Sequence, residues 1–182
     1  MEQVDSISKS QINPISVIVC VDQNNGIGRN GVIPWHLKSD MTRFRQITTN
    51  GTVIMGRRTW ESIGCRPLAN RANIVLTSDM KGIVGALAYT SLYRALESHN
   101  NGPRLQSRGM SLGIRPLFVI GGSRLYAESI PLAQHIYLTR IDIDAQCDVK
   151  FPYHLLSGHN GDIGPWLTED GIRYRFEYYS PR

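Results

Sequence analysis

Ile15-Ser16-Val17-Ile18-Val19-Cys20-Val21 is a nearly unbroken apolar run, entered through Pro14 and left through Asp22-Gln23-Asn24-Asn25-Gly26. A strand with one wet face would alternate, so a continuous run between turn-forming residues predicts a strand buried on both faces. Such strands sit in parallel sheets covered by helices. Outward from this run the signal recurs at residues 52–55, 73–76, 86–89 and 117–120. Helical stretches are expected at 37–48, 91–97 and 123–129. Strand–helix alternation of this kind predicts an α/β domain on a parallel core. Residues 136–143 and 173–179 are strands with no helix between them, which predicts an antiparallel edge. In the last, Tyr174, Phe176 and Tyr178 alternate with Arg173, Arg175 and Glu177, so one buried face is expected.

The chain has 182 residues, enough for one well-cored domain, expected over 15–182. Residues 1–14 are polar, carry no signal-peptide core, and read as a flexible extension. Residues 100–115, rich in Gly and Arg, read as a long exposed loop. No apolar stretch approaches the ~18 residues of a membrane span. Cys20, Cys65 and Cys147 give neither a disulfide framework nor a zinc pattern, which favours a reducing compartment and no metal. Cys20 is expected to act as a small buried apolar residue. The net charge of +5 suits a phosphorylated cofactor or an acidic substrate. The basic residues form no long run, which disfavours a nucleic-acid partner.

Two segments share one design, an apolar strand ending at glycine where a helix begins: Val53-Ile54-Met55-Gly56-Arg57-Arg58-Thr59 and Phe118-Val119-Ile120-Gly121-Gly122-Ser123-Arg124. Helix starts offer free backbone N–H groups and positive potential to phosphate, and glycine permits close approach. Either junction alone reads equally as a tight turn. Two of them, each with arginine, fit a ligand with several phosphates. Neither matches G-x-G-x-x-G or a P-loop. The Arg57-Arg58 pair favours NADPH over NADH, because a 2′-phosphate calls for guanidinium groups.

In the 37–48 helix, Leu37, Met41, Phe44 and Thr48 form a core-facing stripe, and Lys38, Arg43 and Arg45 fall on other faces. Asp40 lies on the apolar stripe. It either caps the helix or points into an apolar cleft, with Ser39 available as the alternative cap. Buried, it would titrate high, and an amino-pyrimidine would match its two oxygens. His36 reads as a solvated loop residue.

These residues together resemble the dihydrofolate reductase family over about residues 15–179. The resemblance is carried by Gly26-Ile27-Gly28, Ile33-Pro34-Trp35, Asp40-Met41 with Phe44, and residues 53–63. It continues through Arg66-Pro67-Leu68, Arg71, residues 73–76, Val119-Ile120-Gly121-Gly122, Tyr126, Tyr137-Leu138-Thr139, and Asp148 with Phe151-Pro152. It implies an eight-stranded mixed, mostly parallel sheet with an antiparallel C-terminal edge, flanked by about four helices. It also implies hydride transfer from NADPH to C6 of dihydrofolate with a proton to N5, in a cytoplasmic monomer open to antifolate inhibitors.

By the same resemblance, Asp40 would bind the pterin's 2-amino group and N3, Trp35 would border the proton-donating water, and Thr139 would bond Asp40 and pterin. Ile18, Val19, Cys20, Met41, Phe44, Ile63, Leu68 and Ile120 would wall the substrate pocket. Arg71 would grip the glutamate carboxylate, a bidentate task. The backbone at Cys20 and Ile27, with Gly28, would hold the nicotinamide. Gly56, Arg57, Arg58, Thr59, Thr77, Ser78, Gly121, Gly122, Ser123, Arg124, Leu125 and Tyr126 would hold the rest of the cofactor. A cis peptide is implied between Gly121 and Gly122. The sequence departs from the family pattern at the extra Cys65, at Ser123 where a third glycine is common, and near Thr90, where a basic residue is absent. A pyrimidine reductase of riboflavin synthesis is the neighbouring alternative, disfavoured by Arg71 and the Trp35–Asp40 spacing. A non-catalytic nucleotide- or RNA-binding protein is the other.

Overall fold

The computed structural model of the chain describes residues 14–101 and 115–182. The expected extension up to residue 13 and nearly all of the 100–115 loop lie outside the described residues. The first half runs β1 (Ile15–Val21), β2 (Gly26–Gly28), α1 (Lys38–Thr48), β3 (Thr52–Gly56), α2 (Arg57–Ser62), β4 (Ala72–Leu76) and β5 (Leu87–Tyr89). Then come α3 (Leu92–Asn101), β6 (Leu117–Val119), α4 (Ser123–Ser129), β7 (Ala133–Ile141), β8 (Val149–Lys150), β9 (His159–Ile163), β10 (Leu167–Glu169) and β11 (Ile172–Pro181).

The sheet is ordered β10-β11-β7-β1-β6-β3-β4-β5. From β7 to β5 every pairing is parallel, and β11 joins β7 antiparallel. Strands β10 and β9 share the far edge of β11, pairing with Ile172–Tyr174 and with Glu177–Pro181 in turn. They act as one interrupted eighth position, which gives the sheet expected. β1 lies at the centre with Ile15, Val17 and Val21 almost wholly buried, as its unbroken apolar run requires. A buried side chain of this size contributes roughly 1.5–3 kcal/mol.

β2 and β8 form a separate antiparallel ribbon that the sequence did not announce. Glycine-rich β2 has no side-chain pattern to read, and its partner lies more than a hundred residues away. The ribbon fastens the loop after β1. Asp22 is fully buried and accepts from the backbone N–H groups of Asn24 and Gly26, while Asp148 accepts from Asn30 N. A side chain at Gly26 would collide with Cys147 at 2.4 Å, so glycine is required there.

Two expectations fail at the edges. β11 does not have one wet face: Glu177 is 1% exposed, and Tyr179 beside it packs into the main core. The carboxylate is tolerated because Arg140 Nε (2.9 Å), Arg175 Nε (2.7 Å) and the Tyr179 hydroxyl (2.7 Å) all donate to it. Nor is α1 capped by Ser39 or Asp40. Leu37 holds the N-cap position with no side-chain hydrogen bond of its own. Glu169, from the tip of the β10–β11 hairpin, accepts from Lys38 N, Ser39 N and the Ser39 hydroxyl. A carboxylate at a helix start satisfies orphan N–H groups whichever segment supplies it. Asp40 is thereby left available.

Candidate active site

The parallel strands β1, β6, β3 and β4 all end on one side of the sheet, where open α/β sheets hold their ligands. Here the two glycine junctions meet. β3 and β6 are neighbours, and Gly56 N donates to Gly121 O at 2.8 Å. A Cβ on Gly121, whose φ is +136°, would lie 3.0 Å from Thr59 Oγ1, so Gly121, Gly122 and Thr59 enclose a close-fitting hollow. The Gly121–Gly122 peptide is cis. Neither α2 nor α4 has a side-chain N-cap, so their first N–H groups face this hollow uncapped. Ser123 is turned aside, donating to Lys150 O at 2.5 Å. Leu125 and Tyr126 are buried in the main core, the Tyr126 hydroxyl lying 3.5 Å from where a Cβ on Gly121 would stand.

Arg57 is committed elsewhere. Its Nε donates to Glu61 (2.7 Å) and its Nη1 to the carbonyls of Asp79 (3.0 Å) and Lys81 (2.9 Å). It ties down the loop that follows Thr77 and Ser78, and Thr77 itself turns back onto Asp79. Arg58 and Ser78 are exposed. Of the expected arginine pair, Arg58 is thus the one whose side chain stands exposed. Arg58→Ala is expected to raise the Kd for NADPH about tenfold or more, with little change for NADH, since a charged hydrogen bond contributes roughly 1.5–3 kcal/mol. Arg57→Ala should weaken both cofactors together by releasing the loop. Calorimetric titration of each variant with both cofactors checks this, and the reverse pattern would restore Arg57 to the direct role.

Across the sheet, α1 places Asp40 in its first turn, partly buried. Cys20 and Thr139 pair in register between β1 and β7. Trp35, Cys20, Phe176 and buried Leu37 form an apolar cluster around this point. Burial pushes the Asp40 carboxyl above its ordinary range, while a Thr139 hydrogen bond and the Arg43 charge pull it down. Cys20 is half-buried as a residue, with its side chain packed in this cluster. Burial and the neighbouring Asp40 push its thiol well above the ordinary value, against a Trp35 hydrogen bond that lowers it. Tyr126, raised by burial and then by Asp40 and Cys20, stays protonated and donates to Ile18 O at 3.0 Å.

Ile18 and Val19 are buried on β1, and Ile63, Leu68 and Ile120 pack together against Val53, Met55 and Trp60. Phe44 is half-buried with the Arg71 guanidinium 5.6 Å from its ring centre. Arg71 is aimed by Nε to Thr48 Oγ1 (2.8 Å) and Nη1 to Ala69 O (2.7 Å). Met41 is 48% exposed, so it does not belong to the core-facing stripe expected of it. Ile27 is partly buried against the core, next to Gly28, and His36 is exposed as expected.

Sequence reasoning also misplaced Arg43. Assigned to the polar side of α1, it turns toward the sheet. Its Nη1 donates to Leu138 O and Thr139 Oγ1, both at 3.3 Å, and its guanidinium lies 4.3 Å from the Phe176 ring centre. The available signal was its spacing three residues after Asp40, one turn along the same helix face.

The dihydrofolate reductase family model matches residues 14–159. The chain belongs to the dihydrofolate reductase family. The dihydrofolate reductase of Bacillus subtilis is 39% identical over 139 residues, covering 76% of this chain and 75% of that enzyme. That of Rattus norvegicus is 35% identical, covering 94% and 99%. The bifunctional dihydrofolate reductase-thymidylate synthase of Paramecium tetraurelia is 32% identical over 90% of this chain, which spans 34% of that longer protein. Among solved structures, the Enterococcus faecalis dihydrofolate reductase complexed with NADP(H) and RAB-propyl superposes with a TM-score of 0.75. It is 27% identical over 93% of this chain and 96% of that one. The eight sheet positions are therefore those of a dihydrofolate reductase fold. Among the described residues no cluster of His, Cys, Asp and Glu could hold a metal, and no helix is long and apolar enough to cross a membrane.

Proposed function

We infer that this chain reduces 7,8-dihydrofolate to 5,6,7,8-tetrahydrofolate with NADPH, the hydride going to C6 and a proton to N5. What supports the reading is an ionisable carboxylate set beside an apolar cluster, together with two adjoining strand–glycine–helix junctions suited to phosphates. NADPH fits these junctions: the helix starts of α2 and α4 are uncapped, and the hollow beside Thr59 is one that any side chain at Gly121 would fill. When bound, it supplies the hydride.

The rest falls to the chain. Asp40 holds the pterin's planar pair of N–H groups, fixing which ring face meets the cofactor and placing negative charge beside a ring that must gain a proton. Thr139 orients Asp40, and Trp35 with Leu37 and Phe176 excludes bulk water from one flank, which strengthens that charge's effect. Arg71, held by Thr48 and Ala69, takes the glutamate carboxylate at the outer end of Phe44. Diaminopyrimidine antifolates would enter by the same pairing to Asp40.

The chain is read as a monomer of the cytoplasm: its three free cysteines suit a reducing compartment, and size exclusion against its mass of 20.4 kDa checks the oligomeric state. Incubation with dihydrofolate and NADPH deuterated on the transferred position of the nicotinamide tests the activity. Label at C6 of the product is expected; NADPH that persists, or label elsewhere, would overturn the assignment.

A further inference from the structure

We propose that Arg43 is a positioning residue that acts as a built-in counter-charge to Asp40, biasing the cleft against cationic ring ligands relative to neutral ones. The inference rests on Asp40 holding the pterin ring. The guanidinium is wedged between α1 and the sheet, bonded by Nη1 to Leu138 O and Thr139 Oγ1 at 3.3 Å each. Its carbon lies 4.3 Å from the Phe176 ring centre and 5.8 Å from that of Tyr137. A guanidinium among aromatic faces keeps its charge.

Two consequences follow from this placement. Thr139 Oγ accepts from Arg43, so its single proton is turned outward and can be given to Asp40, which fixes the direction of that bond. Asp40 then meets a ligand already partly neutralised: the carboxylate and guanidinium sum to no net charge. The titratable groups facing Asp40 are Arg43 on α1, Cys20 on β1 and Tyr126 on α4, and Tyr137 on β7 faces Arg43. Cys20 and Tyr126 are held protonated, so Arg43 is the charge among them that sets the local potential.

A ring that binds as a cation is repelled by Arg43; a neutral ring is not. The proton that N5 must acquire brings the same penalty into the reaction, so reduction should fall off at a lower pH than it would without Arg43.

The test measures Kd for a 2,4-diaminopyrimidine and for folate, whose ring is neutral, together with the pH profile of dihydrofolate reduction. The holoenzyme is compared with Arg43→Gln, Arg43→Met and Arg43→Lys. Gln keeps a donor for Thr139 without charge; Lys keeps charge without the planar fork. In the Gln and Met variants the preference for the diaminopyrimidine over folate is expected to rise about tenfold, as loss of one like charge at a partly buried site implies. The falling limb of the pH profile should move to higher pH, and Lys should hold both readouts near wild type. Equal weakening of both ligands with an unmoved profile, while Asp40→Asn still loses the diaminopyrimidine, would overturn the role of Arg43 alone. An Asp40→Asn variant that binds the diaminopyrimidine as tightly as wild type would remove the reading of Asp40 itself, and the proposal with it.

Discussion

Asp40→Asn is expected to lower kcat/KM for dihydrofolate by roughly 100- to 1,000-fold at neutral pH, within the span of a lost general-acid contribution. Asparagine keeps the size and one acceptor but removes the charge that favours protonation of the ring and one of its two acceptor oxygens. The deficit should shrink as pH falls, because solvent then supplies the proton that the variant no longer helps to recruit. Stability should move the other way. Burial raises the Asp40 carboxyl above its unfolded value, opposed by Thr139 and Arg43. The folded state therefore binds the proton more tightly than the unfolded state, and stability falls as pH rises through the interval between the two values. Above that interval the ionised aspartate is a cost that Asn does not carry, so Asp40→Asn should melt higher than wild type at neutral pH. Steady-state rates and melting curves over the same pH series check both halves. Full activity in the variant at neutral pH would remove Asp40 from the mechanism.

Glu177→Ala is expected to lower the melting temperature by roughly 10 °C, from a loss of about 3–5 kcal/mol when one partner of a buried charge cluster is removed. The Glu177 carboxylate is fully buried, and Arg140, beside it, is 11% exposed. Arg140 also donates to Asn25 Oδ1 at 3.0 Å and to Asp22 O at 3.4 Å, which carries the disturbance into the loop before Trp35. A double variant, Glu177→Leu with Arg140→Met, should recover much of the stability, since apolar residues that fill the same space remove the orphaned charge. Burial alone would raise the Glu177 carboxyl, but bonds from Tyr179, Arg175 and Arg140 outweigh it and hold the group below its ordinary range. Its contribution is thus complete above the ordinary glutamate range and is lost as pH falls through the depressed folded value. Identical melting of Glu177→Ala and wild type would show the cluster to be energetically idle.

What could be read from the chain and what could not divide along a physical line. The buried strand at Ile15–Val21 and the two glycine junctions were legible because local composition decides them: an unbroken apolar run, then a residue that lets the backbone approach an anion. Asp40 could be singled out because a carboxylate on an apolar helix stripe conflicts with burial. Glu177 could not, since Arg140 comes from β7 and meets it only across the sheet pairing. The cap of α1 was hidden for the same reason, Glu169 standing 130 residues beyond Ser39. Arg43 was misread because helix periodicity ranks residues by polarity, and a guanidinium stacked on Phe176 satisfies both polarity and burial. Arg57 matched a phosphate-binding pattern, and its bonds to Glu61 and to carbonyls of the loop it faces are contacts that no spacing rule reveals.

The most direct test of the central claim is a crystal structure of the chain with folate and NADP+ bound together. Both Asp40 oxygens should lie within about 3 Å of the ring's 2-amino group and N3, with the cofactor's phosphates against Thr59 and the Gly121–Gly122 junction. A folate ring bound away from Asp40, or phosphates lodged elsewhere, would contradict the account.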